Sequence, residues 1–398
     1  MTRIIIHIDL DAFFCAVEEL FDPNLHGTAF AVGGLPDQRG VVSSCSYTAR
    51  KFGVHSGMPM AKALKICSNL KIIRPKFKKY EQYSKNVIQL LSQYTPLVEQ
   101  ISIDEAFLDV SDLLGSSEAL AHQIQQKVKE LYKLPSSLGV ASNKLVAKIA
   151  TDVGKSRSKR TDYPYAITIV PTGAEQDFLA PLPVSALIGV GPKTASKMDS
   201  MGIHTIGDLA GRAERELTDL FGKFGHELFL HSKGIDDRPL VTSHKVKSIS
   251  TETTFPKDIK DEKILRSTLH DLTQAVCKRL DISGLKGSTI RLKLRWADFT
   301  TITRQATFDS PTDQEALIYA KVCELFEMSW RTRERIRLLG ISVSNLDTVP
   351  KQLSLWDAIN SAKEEKLSNA LHNLEIRFGK KIIQRGIVNS TELTENKD

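Results

Sequence analysis

The chain has 398 residues, more than one ordinary hydrophobic core accommodates, and this length predicts two to four domains. Its 54 Lys and Arg outnumber its 47 Asp and Glu, and the net charge of +7 suits a polyanionic partner without requiring one. Five scattered cysteines without C-x-x-C spacing argue against a zinc site or a disulfide framework. Charged residues interrupt the N-terminal apolar run and no segment reaches membrane length, so we expect a cytoplasmic protein without a membrane partner.

A β-branched apolar run opens the chain. Residues 4–8 are typical of a buried strand, and this strand delivers Asp9 and Asp11 at its end. Residues 12–20 are then predicted to form a helix with an apolar face. Two aromatic residues begin that helix, and core packing is enough to explain both from the residues alone: Phe13 and Phe14.

Residues 22–75 form a small basic unit, with predicted strands at 29–32 and 41–44 and a helix at 59–67. Hydroxyl and guanidinium groups near the second strand are suited to hold a triphosphate. They belong to Ser44, Tyr47 and Arg50. A polar helix start is the alternative explanation, and the residues alone leave both open.

The adjacent acids Asp104 and Glu105 lie between two apolar runs, 101–103 and 106–110, which predict a hairpin with the acids at its tip. Two acids at a tight turn repel each other, so we expect a cation beside them; an ordinary solvated turn is the alternative. Asp9 adds a carboxylate from a distant strand. Such acids bridge two Mg²⁺ ions about 3.5 to 4 Å apart in phosphoryl-transfer sites.

Three further acids are weaker candidates for this cluster. Strand alternation predicts that Asp109 points away from Leu108 and Val110, so it need not reach a metal, and Asp112 lies close only in sequence. Asp11 is a doubtful ligand.

Four motifs carry a resemblance to a known family: D-L-D-A-F-F at 9–14, S-Y-T-A-R-K-F-G-V at 46–54, S-I-D-E-A-F-L-D at 102–109 and G-V-A-S-N-K-L-V-A-K at 139–148. In this order they closely resemble the Y-family translesion DNA polymerases, and the nearest branch is the bacterial DNA polymerase IV, or DinB, type. The resemblance extends from about residue 1 to about residue 345. It implies a multidomain α+β fold of right-hand polymerase type.

The resemblance also implies domain limits. A palm at 1–21 and 76–166 is interrupted by small fingers at 22–75, and the remaining units are a helix-hairpin-helix thumb at 167–235, a linker at 236–243, a β-α-β-β-α-β little finger at 244–345 and a tail at 346–398.

Roles for individual residues follow from the same resemblance. Asp9, Asp104 and Glu105 are the implied catalytic acids, and with the Leu10 carbonyl they would hold two Mg²⁺ ions, for which Mn²⁺ is expected to substitute. Phe14 takes the position of the steric gate, a ring under the nucleotide sugar that leaves no room for a 2′-hydroxyl. The other implied nucleotide ligands are Phe13, Ser44, Tyr47, Arg50 and Lys155.

Residues 183–198 predict a helix, a glycine hairpin and a second helix. Gly189 and Gly191 permit a tight turn, and Pro192 then begins a helix whose exposed N–H groups can hold a phosphate, with Lys193 in its first turn. A clamp on the DNA backbone is our interpretation; a purely structural turn is the alternative.

The little-finger segment predicts strands and helices in the order β-α-β-β-α-β, at 246–254, 260–281, 288–296, 301–308, 312–330 and 336–344. In its third segment Arg291, Lys293 and Arg295 alternate with apolar residues, so helices would cover the apolar face and leave the basic face for DNA. Residues 243–345 contain 18 Lys and Arg against 13 Asp and Glu, a net charge of +5. This charge favours sequence-independent phosphate contact.

The tail contains Q-L-S-L-W, a peptide that resembles those by which bacterial replication proteins bind the sliding clamp. It comprises Gln352, Leu353, Ser354, Leu355 and Trp356. The alternative is that its apolar side chains pack on the little finger.

The residues and the resemblance together favour a template-directed DNA polymerase, and the resemblance implies low fidelity and a role in translesion synthesis and repair. Its expected partners are primer–template DNA, deoxynucleoside triphosphates and the sliding clamp, and we expect a monomer. Two rival functions remain. A nucleotidyl cyclase-like enzyme is disfavoured by the glycine hairpin and the basic sheet, and a catalytically silent DNA-binding scaffold by the intact set of acids.

Overall fold

The computed structural model describes residues 3–160, 162–243, 245–330 and 334–347. The predicted clamp-binding peptide at 352–356 lies outside these residues. Within them, hydrophobic side chains gather into four cores, and these serve the fingers, the little finger and the two faces of the palm sheet.

The first strand, β1 (Ile5–Leu10), is buried along its whole length and is followed by helix α1 (Phe13–Phe21). Ala12 between them has a left-handed backbone with φ of 44°, which turns the chain directly from strand to helix. The fingers come next, as β2 (Phe30–Gly33), β3 (Val42–Cys45), α2 (Tyr47–Lys51), α3 (Met60–Ile66) and β4 (Lys71–Ile73). Their strands form one sheet in the order β3-β2-β4.

The palm is completed by seven elements: α4 (Phe77–Leu91), β5 (Val98–Gln100), β6 (Glu105–Asp109), α5 (Ser117–Tyr132), β7 (Ser136–Ala141), α6 (Lys144–Arg157) and β8 (Ile167–Ile169). The strand order β5-β6-β1-β7-β8 places β1 at the centre. Helices α1, α4 and α5 cover one face of the sheet, and α6 covers the other. The palm sheet includes β8, which lies beyond the domain limit expected at residue 166.

The acidic hairpin differs from its predicted form. Strand β5 ends at Gln100, so residues 101–104 form the turn, with Ile101 exposed and Ile103 packed against the palm core. Ser102 explains the difference, because its hydroxyl accepts the backbone N–H groups of Asp104 and Glu105 at 3.1 and 3.0 Å. These bonds replace those that a regular ladder would have made.

The thumb contains α7 (Glu175–Leu179), α8 (Pro192–Asp199), α9 (Ile206–Ala210), α10 (Glu214–Phe221) and α11 (Lys223–Ser232). The first helix of the predicted hairpin is only a single 3₁₀ turn, Val184–Ala186. A backbone bridge from Pro183 to Thr205 holds that segment extended, so a longer helix does not form. The apolar side chains of the thumb join those beneath α6 in one core.

The little finger has the predicted order of elements: β9 (Ser248–Ile259), α12 (Glu262–Ile282), β10 (Lys286–Trp296), β11 (Thr301–Thr312), α13 (Glu315–Ser329) and β12 (Ile336–Asp347). The antiparallel sheet runs β11-β10-β12-β9, and its strands are longer than predicted. Ile290, Leu292 and Leu294 are buried beneath α12 and α13. The basic residues between them therefore lie on the face without helices.

The linker is attached to the palm along most of its length. The Leu145 N–H donates to Asp236 Oδ2 at 3.1 Å, and the Val241 N–H donates to Glu99 Oε2 at 3.0 Å. Lys144 Nζ lies 2.6 Å from the same Glu99 oxygen. A separate ion pair, Arg39 to Asp258 at 2.6 Å, joins the fingers to the little finger.

Candidate active site

The active-site acids meet at one edge of the palm sheet. Asp9 and Glu105 are direct cross-strand partners on β1 and β6. Directly opposed residues project from the same face of a sheet, so both carboxylates lie under α6. The sequence predicted that acids from distant segments would converge here, and these two do.

Two lysines of α6 neutralise this pair. Lys155 Nζ donates to Asp9 Oδ1 at 2.6 Å, and Lys148 Nζ donates to both Glu105 oxygens at 2.8 and 2.9 Å. The lysines are seven residues apart, two helical turns, so they point from one side of the helix toward the sheet. Each acid therefore has its own ammonium partner.

The two carboxylates differ in their electrostatics. Burial, reinforced by the charges of Glu105 and Asp11, raises the pKa of Asp9 to about 7, although Lys155 acts to lower it. Burial also acts to raise the pKa of Glu105, but the neighbouring His7 and Lys148 side chains outweigh it and hold that pKa well below its usual range. With a pKa of about 7, Asp9 is close to half ionised at neutral pH, and further positive charge beside it would favour its carboxylate form.

Asp104 sits beside this pair but faces elsewhere. Its carbonyl accepts the Leu10 N–H at 2.9 Å, which ties the turn to the end of β1. Its carboxylate accepts a hydrogen bond from the Ser102 hydroxyl at 2.5 Å. The structure thus brings the Asp104 and Leu10 backbones together and turns the Asp104 side chain toward its own turn.

The three weaker acidic candidates differ in their distance from the pair: Asp11 is close enough to share Lys155, at 3.7 Å, whereas Asp109 and Asp112 lie further away. Asp11 is fully buried, and its carboxylate accepts from the Ser137 hydroxyl at 2.9 and 3.0 Å and from the Tyr165 N–H at 3.3 Å. Asp109 lies opposite Ile5 at the far end of β1, where it accepts from Ser111. Asp112 is exposed in the following turn. Asp109 shares the face of β6 that carries Glu105 but lies four residues further along the strand, so it does not join the pair.

A metal ion suits the chemistry of the acidic pair. Among the described residues, no three Asp, Glu, His or Cys side chains converge closely enough to hold one in this geometry. Asp9 and Glu105 nevertheless supply only oxygen donors and negative charge, the ligand type that Mg²⁺ prefers. The ammonium groups of Lys148 and Lys155 lie where the two carboxylates would attract a bound cation. The residues fit a hard divalent ion.

The predicted triphosphate ligands gather beside the acids. Arg50 stacks over the Tyr47 ring at 4.6 Å, and its Nε donates to the Cys45 carbonyl at 3.3 Å. Burial raises the pKa of Tyr47 to about 12, and the charges of Asp11, Arg50 and Lys155 also act on it. The Tyr47 hydroxyl is buried and has no hydrogen-bond partner among the described residues.

Ser44 is also buried, and its hydroxyl lies 3.6 Å from Cys15 Sγ. It sits on β3, the strand that precedes α2, and α2 begins at Tyr47.

Phe13 and Phe14 occupy different environments although they are neighbours. Phe13 is 2% exposed and lies in the palm core. Phe14 is partly exposed and stacks on the buried Tyr80 ring, with centroids 4.4 Å apart and planes inclined by 16°. The Tyr80 hydroxyl donates to Glu18 Oε1 at 2.6 Å, so the ring under Phe14 is held in place.

The predicted DNA contacts lie on two exposed surfaces. Gly189 has φ of 91°, a backbone that other residues rarely adopt, and Gly191 precedes Pro192 at the start of α8, with Lys193 exposed in the first turn. On β10, Lys293 pairs with Glu252 at 2.7 Å. Its neighbours on that face bond within the sheet, Arg291 to Gln305 at 3.1 Å and Arg295 to Thr301 at 2.8 Å.

Sequence reasoning missed Lys148 and His7. Lys148 closes one of the quoted motifs, and its spacing of seven from Lys155 is a signal that would have placed both on one face of a helix. His7 alternates with Asp9 along β1 and is fully buried on the same face, with Nε2 3.9 Å from Glu105 Oε2. Strand alternation would have placed His7 under the acids.

The described residues contain no helix long and apolar enough to cross a membrane.

Comparison with known protein families covers most of the chain. Residues 8–152 match the impB/mucB/samB family, and residues 246–355 match the C-terminal domain of that family. Residues 185–236 match the thumb domain described for DNA polymerase iota.

Individual relatives agree with these matches. The chain is 37% identical over 383 residues to DNA polymerase IV of Desulfatibacillum aliphaticivorans, covering 95% of this chain and 94% of that protein. It is 36% identical over 404 residues to DNA polymerase IV 1 of Bacillus subtilis, covering 100% and 95%. Neither supports the cyclase or the scaffold.

Solved structures give the same fold. The Y-family DNA polymerase chimera Dbh-Dpo4(243-245)-Dbh is 26% identical with a TM-score of 0.75, covering 86% of this chain and 99% of that chain. An insertion ternary complex of Dbh DNA polymerase has a TM-score of 0.62 at 26% identity, with the same coverage. The chain therefore belongs to the Y-family of translesion DNA polymerases, among the bacterial DNA polymerase IV proteins, and is a DNA-directed DNA polymerase.

Proposed function

We propose that the edge formed by β1 and β6 is where this polymerase joins a deoxynucleotide to a primer. The observation that carries the proposal is the cross-strand pair of Asp9 and Glu105, each neutralised by a lysine of α6. These acids, with Asp104 and the Leu10 carbonyl, would hold two Mg²⁺ ions. The ions would supply charge stabilisation to the attacking 3′-oxygen and to the leaving pyrophosphate.

The protein residues around the edge would bind and orient the nucleotide. The unpartnered Tyr47 hydroxyl and the Arg50 guanidinium face the same region as Lys155, and all three groups suit phosphate oxygens. Lys155 would connect the acidic pair to the triphosphate-binding groups, because it contacts Asp9 and lies near Tyr47. We propose that Lys155 turns from Asp9 to the triphosphate when the nucleotide binds. Ser44 would complete this cradle.

Phe14 would select the sugar of the nucleotide. Its ring is partly exposed at the start of α1, next to Asp9 along the chain, and Tyr80 supports it from below. Its rigid position is what a steric barrier against a 2′-hydroxyl requires. Phe13 is buried in the core, so its side chain would act by supporting the helix.

The thumb and the little finger would hold primer–template DNA. The exposed N–H groups at the start of α8 suit a phosphate, and the basic face of β10 suits a DNA backbone. The contacts are expected to be independent of sequence. The peptide at 352–356 would tether the enzyme, as a monomer, to the sliding clamp.

Primer extension with single acid variants tests the catalytic assignment. Asp104→Ala and Glu105→Ala should each lower the rate of nucleotide addition by roughly a thousand-fold, because metal ligation is worth several kcal/mol of transition-state stabilisation. Primer–template affinity should remain close to that of the wild type.

Asp112→Ala is the matched control, since it removes the same charge from an exposed position in the turn after β6. Near-normal extension by Glu105→Ala, or an equal loss in Asp112→Ala, would contradict the assignment. An abasic template in the same assay tests translesion synthesis.

A further inference from the structure

Lys148 bonds both carboxylate oxygens of Glu105, whereas Lys155 bonds only one oxygen of Asp9. Its ammonium lies within 2.9 Å of both carboxylate oxygens, and the side chains of Lys148 and Glu105 are 23% and 21% exposed. Lys155 instead bonds one oxygen of Asp9 and lies 3.7 Å from Asp11. The described residues offer Lys148 no second acid at ion-pair distance, so this lysine serves Glu105 alone.

The other neighbour of Glu105 does not orient it. His7 Nδ1 lies 2.9 Å from the Thr151 hydroxyl, which itself donates to the Ala147 carbonyl at 3.1 Å. Because the hydroxyl hydrogen is committed, Nδ1 is the donor and carries the ring hydrogen. His7 Nε2 lies 3.9 Å from Glu105 Oε2, beyond hydrogen-bond distance, and has no hydrogen-bond partner among the described residues. His7 therefore makes no hydrogen bond to the Glu105 carboxylate.

We propose that Lys148 is a positioning residue that holds the Glu105 carboxylate in its orientation beside Asp9 and competes with the catalytic cation for the same two oxygens. This inference rests on the proposed function, in which Glu105 is a metal ligand. Lys155 differs because a nucleotide triphosphate would draw it away from Asp9. Lys148 stays and sets how tightly the cation is held.

The two effects of Lys148 act in opposite directions. An ammonium on the ligand repels a divalent ion, so removing that charge should tighten metal binding by roughly ten-fold even with water-like screening. The carboxylate also becomes free to rotate, and losing the partner that orients a metal ligand lowers activity by about ten-fold or more. A residue with only a structural role would not produce tighter metal binding together with slower turnover.

The experiment uses the full-length chain and two readouts. Binding of Mn²⁺ alone is measured by the loss of the free-ion electron paramagnetic resonance signal, without DNA or nucleotide. The maximal rate of primer extension is measured separately at saturating Mg²⁺. Lys148→Met should bind Mn²⁺ roughly ten-fold more tightly and extend primers about ten-fold more slowly. Lys148→Arg keeps the charge and both hydrogen bonds and should resemble the wild type.

Two further variants act as controls. Lys127→Met removes the same charge from an exposed pair on α5, where Lys127 lies 3.6 Å from Glu130, and should change neither readout. If Lys148→Met lowers the melting temperature, Lys148→Gln gives the same comparison with a polar side chain.

The outcomes separate this inference from the proposed function. If the wild type binds no Mn²⁺ or extends no primer, the proposed function fails. If the wild type does both and Lys148→Met binds Mn²⁺ with unchanged or weaker affinity, the role of Lys148 is refuted while the proposed function stands.

Discussion

Replacing Phe14 by Ala should open the nucleotide site to ribonucleotides, and the adjacent Phe13 provides a matched control. Both residues begin α1 and have identical side chains, but Phe13 is 2% exposed and Phe14 is partly exposed. The structure therefore separates sugar selection from core packing between two neighbouring positions.

The expected costs in stability differ accordingly. Phe13→Ala empties a core position and should lower the free energy of unfolding by about 3 to 5 kcal/mol. Phe14→Ala loses a partly buried ring and its stacking on Tyr80 at 4.4 Å, which together amount to about 2 kcal/mol. The loss of sugar discrimination should rank the two variants the other way, with the larger loss in Phe14→Ala. Phe14→Ala should lose at least roughly 100-fold of its preference for deoxynucleotides, equivalent to about 2.7 kcal/mol, and Phe13→Ala should lose little.

The assay compares single-nucleotide incorporation efficiency for matched ribo- and deoxynucleotides, and urea unfolding is measured on the same preparations. Unchanged discrimination in Phe14→Ala would refute the assignment. So would an equal loss in Phe13→Ala, because that result would attribute the effect to a disturbed helix.

Two further predictions concern binding to macromolecules. Changing Arg291, Lys293 and Arg295 to Ala should weaken DNA binding equally for all sequences. It should also lower the log-log slope of affinity against salt concentration by nearly one unit for each phosphate that the variant no longer binds, as measured by fluorescence anisotropy over a salt series. An unchanged slope would show that this face does not contact DNA. Leu355→Ala with Trp356→Ala should leave the melting temperature and distributive synthesis unchanged and abolish stimulation by the sliding clamp, since tethering acts through effective concentration. A double mutant that melts early, or that still responds to the clamp, would instead favour packing on the protein itself.

Much of the architecture could be predicted from local sequence signals. The β-branched run before Asp9 produced β1, and the alternation in residues 288–296 correctly assigned the buried and basic faces of β10. Both signals work because side-chain facing in a strand depends only on position along the chain. The strand before the turn was predicted to extend to residue 103, whereas β5 ends at Gln100, since the hydrogen bonds of Ser102 are not visible in apolar patterning.

The sequence by itself therefore determined the family, the order of the domains and the two strands that deliver the acids. Only the tertiary structure decided which charged groups pair. It showed that Asp11 is enclosed by Ser137 and Tyr165, and that Lys148 reaches Glu105. The physical reason is that motifs record local backbone geometry, whereas an ion pair depends on how α6 lies across β1 and β6. That placement is set by the core packed beneath the helix and not by any one segment.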